Sequence, residues 1–146
     1  MNLVDPLEYV RRQATLTTDR IRTLPVVVLM PHSRCNCRCV MCDIWRANEN
    51  GHELSRSDLD DQLESFRDLN VQWFVLSGGE ALMHPNLWTL CDALREMDAR
   101  ITILSTGILL ERNVEGVLEW TDGVTVSLDG SPEVHDAIRR VPRAFE

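Results

Sequence analysis

Short apolar segments alternate with amphipathic ones along most of this chain, and that alternation restricts the fold more than any other feature. The apolar segments lie at Val26–Met30, Val71–Leu76, Ile101–Leu104 and Val124–Leu128. The first is a continuous run rich in β-branched residues, which predicts a strand buried on both faces of a parallel sheet. Strands that alternate with helices form right-handed βαβ units, so the sequence predicts an α/β fold with a parallel sheet.

Helices are predicted between the strands because apolar residues recur there at helical spacing. Their predicted ranges are Ser57–Leu69, Asn86–Met97 and Asn113–Glu119. The inward-facing residues are expected to be Leu59, Leu63 and Phe66 in the first helix, and Leu87, Leu90, Cys91 and Leu94 in the second. A further helix is predicted to begin at Ser131-Pro132, where an N-cap residue precedes a proline suited to the first turn.

An additional helix is predicted at the N-terminus, with Pro6 in its first turn and an end before Pro25. Its apolar residues keep roughly helical spacing and are Leu3, Leu7, Val10, Ala14, Ile21 and Leu24. We therefore expect an N-terminal helical segment over residues 1–24 and a core domain over residues 25–146.

Each predicted strand is followed by residues that suit a ligand site. The first strand is followed by cysteines, and the second by Ser77-Gly78-Gly79-Glu80. The third strand is followed by Ser105-Thr106-Gly107, and near the end of the fourth Ser127 leads into Asp129-Gly130. Turns often contain Gly, Ser and Asp for conformational reasons alone. Four such turns in succession are better explained by ligand binding, which parallel α/β folds place at the carboxyl ends of their strands.

The cysteines after the first strand indicate which ligand this site could bind. Four of the five fall within residues 35–42, and an odd count without a secretory signal argues against a disulfide framework and for metal ligands. The spacing of Cys35, Cys39 and Cys42 places three soft thiolates in one loop, which suits an iron–sulfur cluster or zinc. A structural zinc site normally takes a second group of ligands from elsewhere in the chain, and none with such spacing is present.

Charge and composition exclude other classes of function. The formal net charge of −8 argues against sequence-independent binding of nucleic acid, and no apolar run reaches the length of a membrane helix. All 15 basic residues are arginine, which excludes lysine Schiff-base chemistry. With no signal-peptide pattern at the N-terminus, the expected location is the cytoplasm.

The cysteine loop and the Gly-Gly-Glu turn together resemble the radical S-adenosylmethionine (SAM) enzymes. The stretch Val126–Gly130, followed by His135 and Arg139, resembles the branch that contains peptide- and sulfatase-maturing enzymes and molybdenum-cofactor-type cyclases. The resemblance implies a partial (β/α) barrel, of which this chain supplies about four βα units after an N-terminal helix. It also implies an oxidoreductase that cleaves SAM reductively to a 5′-deoxyadenosyl radical, which abstracts hydrogen from a substrate.

The resemblance assigns roles to particular residues. Cys35, Cys39 and Cys42 would hold three irons of a [4Fe–4S] cluster whose fourth iron binds SAM. Gly78, Gly79 and Glu80 would grip the SAM amino group, Ser127 and Arg139 would contact its ribose or carboxylate, and Met41 would pack near its adenine. Arg140 is an alternative to Arg139 because the two are neighbours. The other two cysteines, Cys37 and Cys91, are expected to be bystanders.

Some residues depart from the pattern of this family. Met41 stands where the family usually has an aromatic residue, and Ala81 stands where a proline is common. The sequence Ser105-Thr106-Gly107 replaces a common Thr-Asn-Gly. A complete barrel of this type is longer than this chain, so we expect a truncated core domain that lacks the later strands and most of a substrate pocket.

The partners implied are an electron-donor protein of the flavodoxin or ferredoxin type and a peptide or small-molecule substrate. The cysteine loop is surrounded by three arginines, Arg34, Arg38 and Arg46. They are either ordinary solvated charges or groups that attract an anionic cluster, SAM or the electron donor. Two alternatives to an active enzyme stay open at this point: a zinc-binding structural or interaction module, and a truncated, inactive radical SAM fragment.

Overall fold

The computed structural model describes residues 5–49 and 51–146, and it contains a parallel sheet with helices packed on one of its faces. The helices are α1 (Pro6–Thr18), α2 (Arg56–Asp68), α3 (Leu87–Arg95), α4 (Val114–Trp120) and α5 (Pro132–Arg139). The strands are β1 (Val26–Leu29), β2 (Trp73–Leu76), β3 (Arg100–Ser105) and β4 (Gly123–Val126). Three short 3-10 helices cover Ile44–Glu49, Ala81–Met83 and Glu111–Asn113.

The strands pair in chain order, β1-β2-β3-β4, and every pair is parallel. Leu29 aligns with Leu76, and Leu76 aligns with Ile103. The loops that follow these strands therefore leave the sheet at the same edge. The predicted α/β fold with about four βα units is confirmed, and the bounds of the strands and of α2 to α5 differ from the predicted ones by a few residues at most.

The hydrophobic core lies between the sheet and helices α2 and α3. Phe74, Leu76, Ile101 and Ile103 from the sheet are fully buried there. The helices contribute residues that the sequence pattern placed inward: Leu59, Leu63, Leu87, Leu90, Cys91 and Leu94. Burial raises the pKa of the Cys91 thiol to about 12, consistent with its predicted role as a small hydrophobic residue.

The prediction that β1 is buried on both faces is wrong. Val27 and Leu29 pack against the core, whereas Val26 and Val28 are 40% and 56% exposed. The reason is that the core-forming helices α2 and α3 lie on the other side of the sheet. On this open face the Trp73 indole covers part of the sheet, and its Nε1 donates to Thr102 Oγ1 at 3.0 Å.

Helix α1 is shorter than predicted, and its inward residue is a carboxylate. The helix has Pro6 at its first position and ends at Thr18, before Asp19 in a left-handed conformation with φ of 51°. Leu7 and Val10, two of the apolar residues whose spacing predicted the helix, are exposed, and Leu3 lies outside the described residues.

Glu8 takes the inner position of α1 instead. Its carboxylate accepts from Thr23 Oγ1 and Asn70 Nδ2, each at 2.8 Å, and from Arg12 Nε at 3.1 Å. Burial alone raises the pKa of Glu8, but these hydrogen bonds outweigh it and hold the pKa below its ordinary value. Polar contacts therefore connect α1 to the segments around Thr23 and Asn70.

No described helix combines the length and the apolar character that a membrane crossing requires.

We predict that Leu94→Ala destabilises the chain by about 2–5 kcal/mol, because the Leu94 side chain is fully buried between α3 and the sheet. The matched control is Leu118→Ala, since Leu118 is also helical but is 78% exposed and should change stability by less than about 0.5 kcal/mol. Urea unfolding followed by circular dichroism measures both. Equal losses for the two variants would contradict the placement of the core.

Candidate cofactor site

A cavity of about 330 Å³ lies at the carboxyl edge of the sheet, within the range of small-molecule sites. It is lined by Cys35, Cys39, Met41, Cys42, Ile44, Ser77, Gly78, Gly79, Leu104, Ser105, Thr106, Ser127 and Arg139. The lining thus contains residues from the loops after all four strands. Of the nine residues assigned to the site from the sequence, only Glu80 does not line the cavity.

Hydrogen bonds to helix α5 and a turn within the loop hold the cysteine loop in place. At the end of α5, the carbonyls of Ile138 and Arg139 accept from Val40 N at 3.0 Å and Arg38 N at 3.1 Å. The last carbonyls of a helix have no partners within the helix, so the loop satisfies groups that would otherwise need water. Inside the loop, Cys42 N donates to the Cys39 carbonyl at 3.3 Å, which closes a tight turn between two of the candidate ligands.

Cys37 is buried beside Cys35 and does not line the cavity. Its backbone N–H donates to Cys35 Sγ at 3.4 Å. The hydrogen bond from the Cys37 thiol lowers the pKa of Cys35 and outweighs burial, with a further contribution from that N–H. The same thiol contact raises the pKa of Cys37. The pair therefore favours a thiolate at Cys35, which is the form that binds metals, and a neutral thiol at Cys37.

The glycine turn after β2 packs directly against the first residues of the cysteine loop. Gly79 N donates to the His32 carbonyl at 3.3 Å, and Glu80 N donates to the Arg34 carbonyl at 2.8 Å. A Cβ on Gly79 would lie 1.9 Å from the Arg34 carbonyl oxygen. A Cβ on Gly78, whose φ is +111°, would lie 2.5 Å from the His32 carbonyl oxygen. Both positions therefore require glycine for close backbone approach.

The Glu80 side chain lies behind the cavity wall and is completely buried. Its Oε1 accepts from Leu82 N at 3.2 Å and from Ser105 Oγ at 3.0 Å. Its Oε2 accepts from both the backbone N and the Oγ1 of Thr106, each at 2.7 Å. In this structure, the carboxylate thus ties the turn after β2 to the turn after β3, and the predicted contact with a SAM amino group stays a prediction.

The sequence placed Ser105 and Thr106 in a turn that suits a ligand site and in a departure from a family pattern, but it assigned them no partner. Their hydroxyls are partners of Glu80, and Thr106 Oγ1 also lies 3.2 Å from Asn36 Oδ1 in the cysteine loop. A buried carboxylate next to a strand needs donors, so hydroxyl residues at a neighbouring strand end are the signal that would have predicted this network.

Arg139 lines the cavity, whereas Arg140 is exposed and does not. The Arg139 Nε donates to Asp129 Oδ2 at 2.6 Å, and its Nη1 donates to Cys39 Sγ at 3.7 Å. Ser127 and Met41 line the same cavity and are exposed. Asp129, to which the sequence analysis assigned no role of its own, orients the arginine.

The remaining arginines near the loop have different surroundings. Arg34 forms an ion pair with Glu53, and its Nη2 donates to the Met83 carbonyl at 3.3 Å. Arg38 and Arg46 each lie over the Trp45 ring, with guanidinium carbons 5.7 and 5.1 Å from its centroid. The exposed arginines therefore form a cation–aromatic cluster beside the cysteine loop.

The donor set fits a cluster in which each thiolate binds a different iron. Cys35, Cys39 and Cys42 line one cavity, and none of the described cysteines forms a disulfide. Among the described residues, no three His, Cys, Asp or Glu side chains are grouped to hold a single metal ion. Thiolates that bind separate irons need not converge on one point, and sulfur is the donor such clusters prefer.

The fold and the cavity define a class of protein: an α/β partial barrel whose cysteine loop and glycine turn line one cavity at the carboxyl edge of the sheet. Residues 29–145 match the family described as the radical SAM superfamily, and the chain belongs to that family. The resemblance based on the cysteine loop and the Gly-Gly-Glu turn is thereby confirmed.

Known proteins similar to this chain are enzymes and maturases. Fe-coproporphyrin III synthase of Methanosarcina barkeri is 36% identical over 129 residues, which cover 84% of this chain and 31% of that enzyme. Mycofactocin maturase MftC of Mycobacterium tuberculosis is 31% identical over 108 residues, which cover 72% of this chain and 28% of that protein. The chain thus spans about a third of the length of these relatives.

A solved structure has the same fold. Streptococcus suis SuiB bound to S-adenosylmethionine superposes with a TM-score of 0.73 at 18% sequence identity. The superposition covers 98% of this chain and 36% of SuiB. At this identity the likeness concerns the fold, and it agrees with the partial barrel expected from the sequence.

We predict that Gly79→Ala displaces the cysteine loop, because its Cβ would overlap the Arg34 carbonyl. The variant should retain less than half of the iron that the original chain binds after anaerobic reconstitution. The matched control is Gly123→Ala, since a Cβ at Gly123 meets nothing within 4 Å. Equal iron content in both variants would show that the close approach of the two loops is unimportant.

We predict that Glu80→Gln destabilises the chain by about 1–3 kcal/mol, because an amide group cannot accept all the hydrogen bonds that the carboxylate accepts. Glu119→Gln is the control, since Glu119 is exposed on α4. Urea unfolding of both variants makes the comparison. A Glu80 variant as stable as the control would contradict the structural role of the buried carboxylate.

Proposed function

We propose that this chain provides the cluster- and SAM-binding part of a radical SAM enzyme. The observation that carries the proposal is that the three spaced cysteines, both glycines of the turn, Ser127 and Arg139 line one cavity. These residues come from loops far apart in the sequence, and the family assigns all of them to the same cofactors. Membership of the superfamily supports an enzyme in general, and the activity of this chain is part of the proposal.

In the proposed site, Cys35, Cys39 and Cys42 bind a [4Fe–4S] cluster, and the remainder of the cavity receives SAM. When bound, the reduced cluster supplies the electron that cleaves SAM and starts hydrogen abstraction from a substrate. The glycine turn lines the cavity and offers SAM its backbone groups. Arg139 directs a guanidinium toward the cavity, where it suits a carboxylate, and exposed Met41 offers an adaptable apolar surface for adenine.

The substrate class is proposed only as peptide or small molecule. SuiB has been solved bound to its precursor peptide SuiA, and MftC is named as a maturase, which supports a peptide. Fe-coproporphyrin III synthase and GTP 3′,8-cyclase of Chlorobaculum tepidum, which is 30% identical over 122 residues, bear the names of small-molecule enzymes. An electron-donor protein with an acidic surface suits the exposed Arg38 and Arg46 beside the loop.

The proposal predicts cluster assembly that depends on three of the five cysteines. Anaerobic reconstitution with iron and sulfide should give a brown protein with about four irons per chain. Single substitutions of Cys35, Cys39 or Cys42 by alanine should reduce iron binding severely, because each removes one ligand. Cys37→Ala and Cys91→Ala are the matched controls and should retain most of the iron, since neither residue lines the cavity. Iron and sulfide analysis with visible absorption measures the outcome.

Two results would overturn the proposal. A colourless protein that binds stoichiometric zinc through the same cysteines and takes up no cluster would support a structural or interaction module. A cluster whose electron paramagnetic resonance (EPR) signal does not change when SAM is added would support an inactive fragment. A changed signal together with release of methionine and 5′-deoxyadenosine under reducing conditions would support the enzyme.

A further inference from the structure

Helix α5 reaches the cysteine loop with a side chain as well as with its backbone. Arg139, the last residue of α5, donates from Nη1 to Cys39 Sγ at 3.7 Å. This contact joins residues that are 100 positions apart in the sequence. It lies next to the hydrogen bond from Arg38 N to the Arg139 carbonyl, so the backbone fixes the position from which the guanidinium extends.

Asp129 fixes the other side of the guanidinium. Its Oδ2 accepts from Arg139 Nε at 2.6 Å, and the two side chains are 19% and 12% exposed, respectively. The Asp129 backbone N–H in turn donates to Nδ1 of His135, which is 1% exposed, at 3.3 Å. A buried imidazole therefore positions Asp129, Asp129 orients Arg139, and Arg139 contacts the sulfur of a candidate cluster ligand.

Hydrogen bonds and charges near the sulfur ligands influence the reduction potential of an iron–sulfur cluster. Reduction adds negative charge, so a fixed guanidinium beside a ligand thiolate favours the reduced form, and a nearby carboxylate opposes it. Both effects are strong where water is largely excluded. The guanidinium and the carboxylate should therefore shift the potential in opposite directions.

We propose that Arg139 is a positioning residue that donates to the Cys39 thiolate and raises the reduction potential of the bound cluster, with Asp129 orienting it and limiting the effect. This inference rests on the proposed function, since it requires that Cys39 is a cluster ligand. It adds to the expected contact between Arg139 and SAM a role that is exerted before SAM binds.

The test is an EPR-monitored redox titration of the reconstituted chain without SAM. Arg139→Gln removes the positive charge and should make cluster reduction at least tenfold less favourable, a shift of about 59 mV to a more negative potential for a one-electron couple. Asp129→Asn keeps an acceptor for Arg139 Nε but removes the negative charge, so it should shift the potential in the positive direction. Arg140→Gln is the control and should leave the potential unchanged, because Arg140 is exposed and does not line the cavity.

The two variants should shift the reduction potential in opposite directions. If Arg139 and Asp129 only supported the loop, both variants would loosen it, and no such pair of opposite shifts would follow. An unchanged potential in Arg139→Gln, or shifts of the same sign in the two variants, would overturn the inference. If Arg139→Gln assembles no cluster, Asp129→Asn decides: a positive shift supports the inference, and a potential equal to or below the original overturns it. Failure of the unaltered chain to assemble any cluster would instead count against the proposed function.

Discussion

The close backbone contact between the Gly78-Gly79 turn and the residues that precede Cys35 is the interaction on which the site depends. Hydrogen bonds from Gly79 and Glu80 to the His32 and Arg34 carbonyls leave no space for a Cβ on the turn. The contact brings the loops after β1 and β2 together, because these strands are neighbours in the sheet. The glycines therefore position the cysteine loop in addition to lining the cavity.

Two further connections complete the edge of the sheet. The Glu80 carboxylate binds the Ser105-Thr106 turn after β3, and the end of α5 accepts hydrogen bonds from the cysteine loop. As a result, the loop that carries the candidate ligands is connected to the turn after β2, through Glu80 to the turn after β3, and to the end of α5. A cluster ligand set with three residues in one short loop benefits from such support, because the loop itself contains no helix or strand between Cys35 and Cys42.

Much of the fold could be predicted from the sequence because the periodicity of apolar residues is regular from β1 to α5. Leu59, Leu90 and Leu94 are buried as their spacing indicates. The open face of β1 could not be predicted, because an apolar run is the same whether a covering element is present or not. The inward position of Glu8 also could not be predicted, because its partners Thr23 and Asn70 are distant from it in the sequence.

The site, like the fold, could be predicted from the sequence only in part. The cysteine spacing and the glycine turn predicted which loops form the cavity, and the structure brings those loops together. The sequence did not indicate that Glu80 satisfies donors of the third strand end or that Asp129 orients Arg139. Such contacts depend on which side chains meet after folding, and motif spacing within a single loop carries no information about them.

The central claim is that one cavity holds a [4Fe–4S] cluster by three cysteines and presents its fourth iron to SAM. Mössbauer spectroscopy of the chain reconstituted with ⁵⁷Fe, before and after SAM is added, tests this claim most directly. We expect SAM to change the signal of about one iron in four and to leave the other three unchanged. A spectrum that SAM does not alter, or a chain that takes up zinc in place of a cluster, would contradict it.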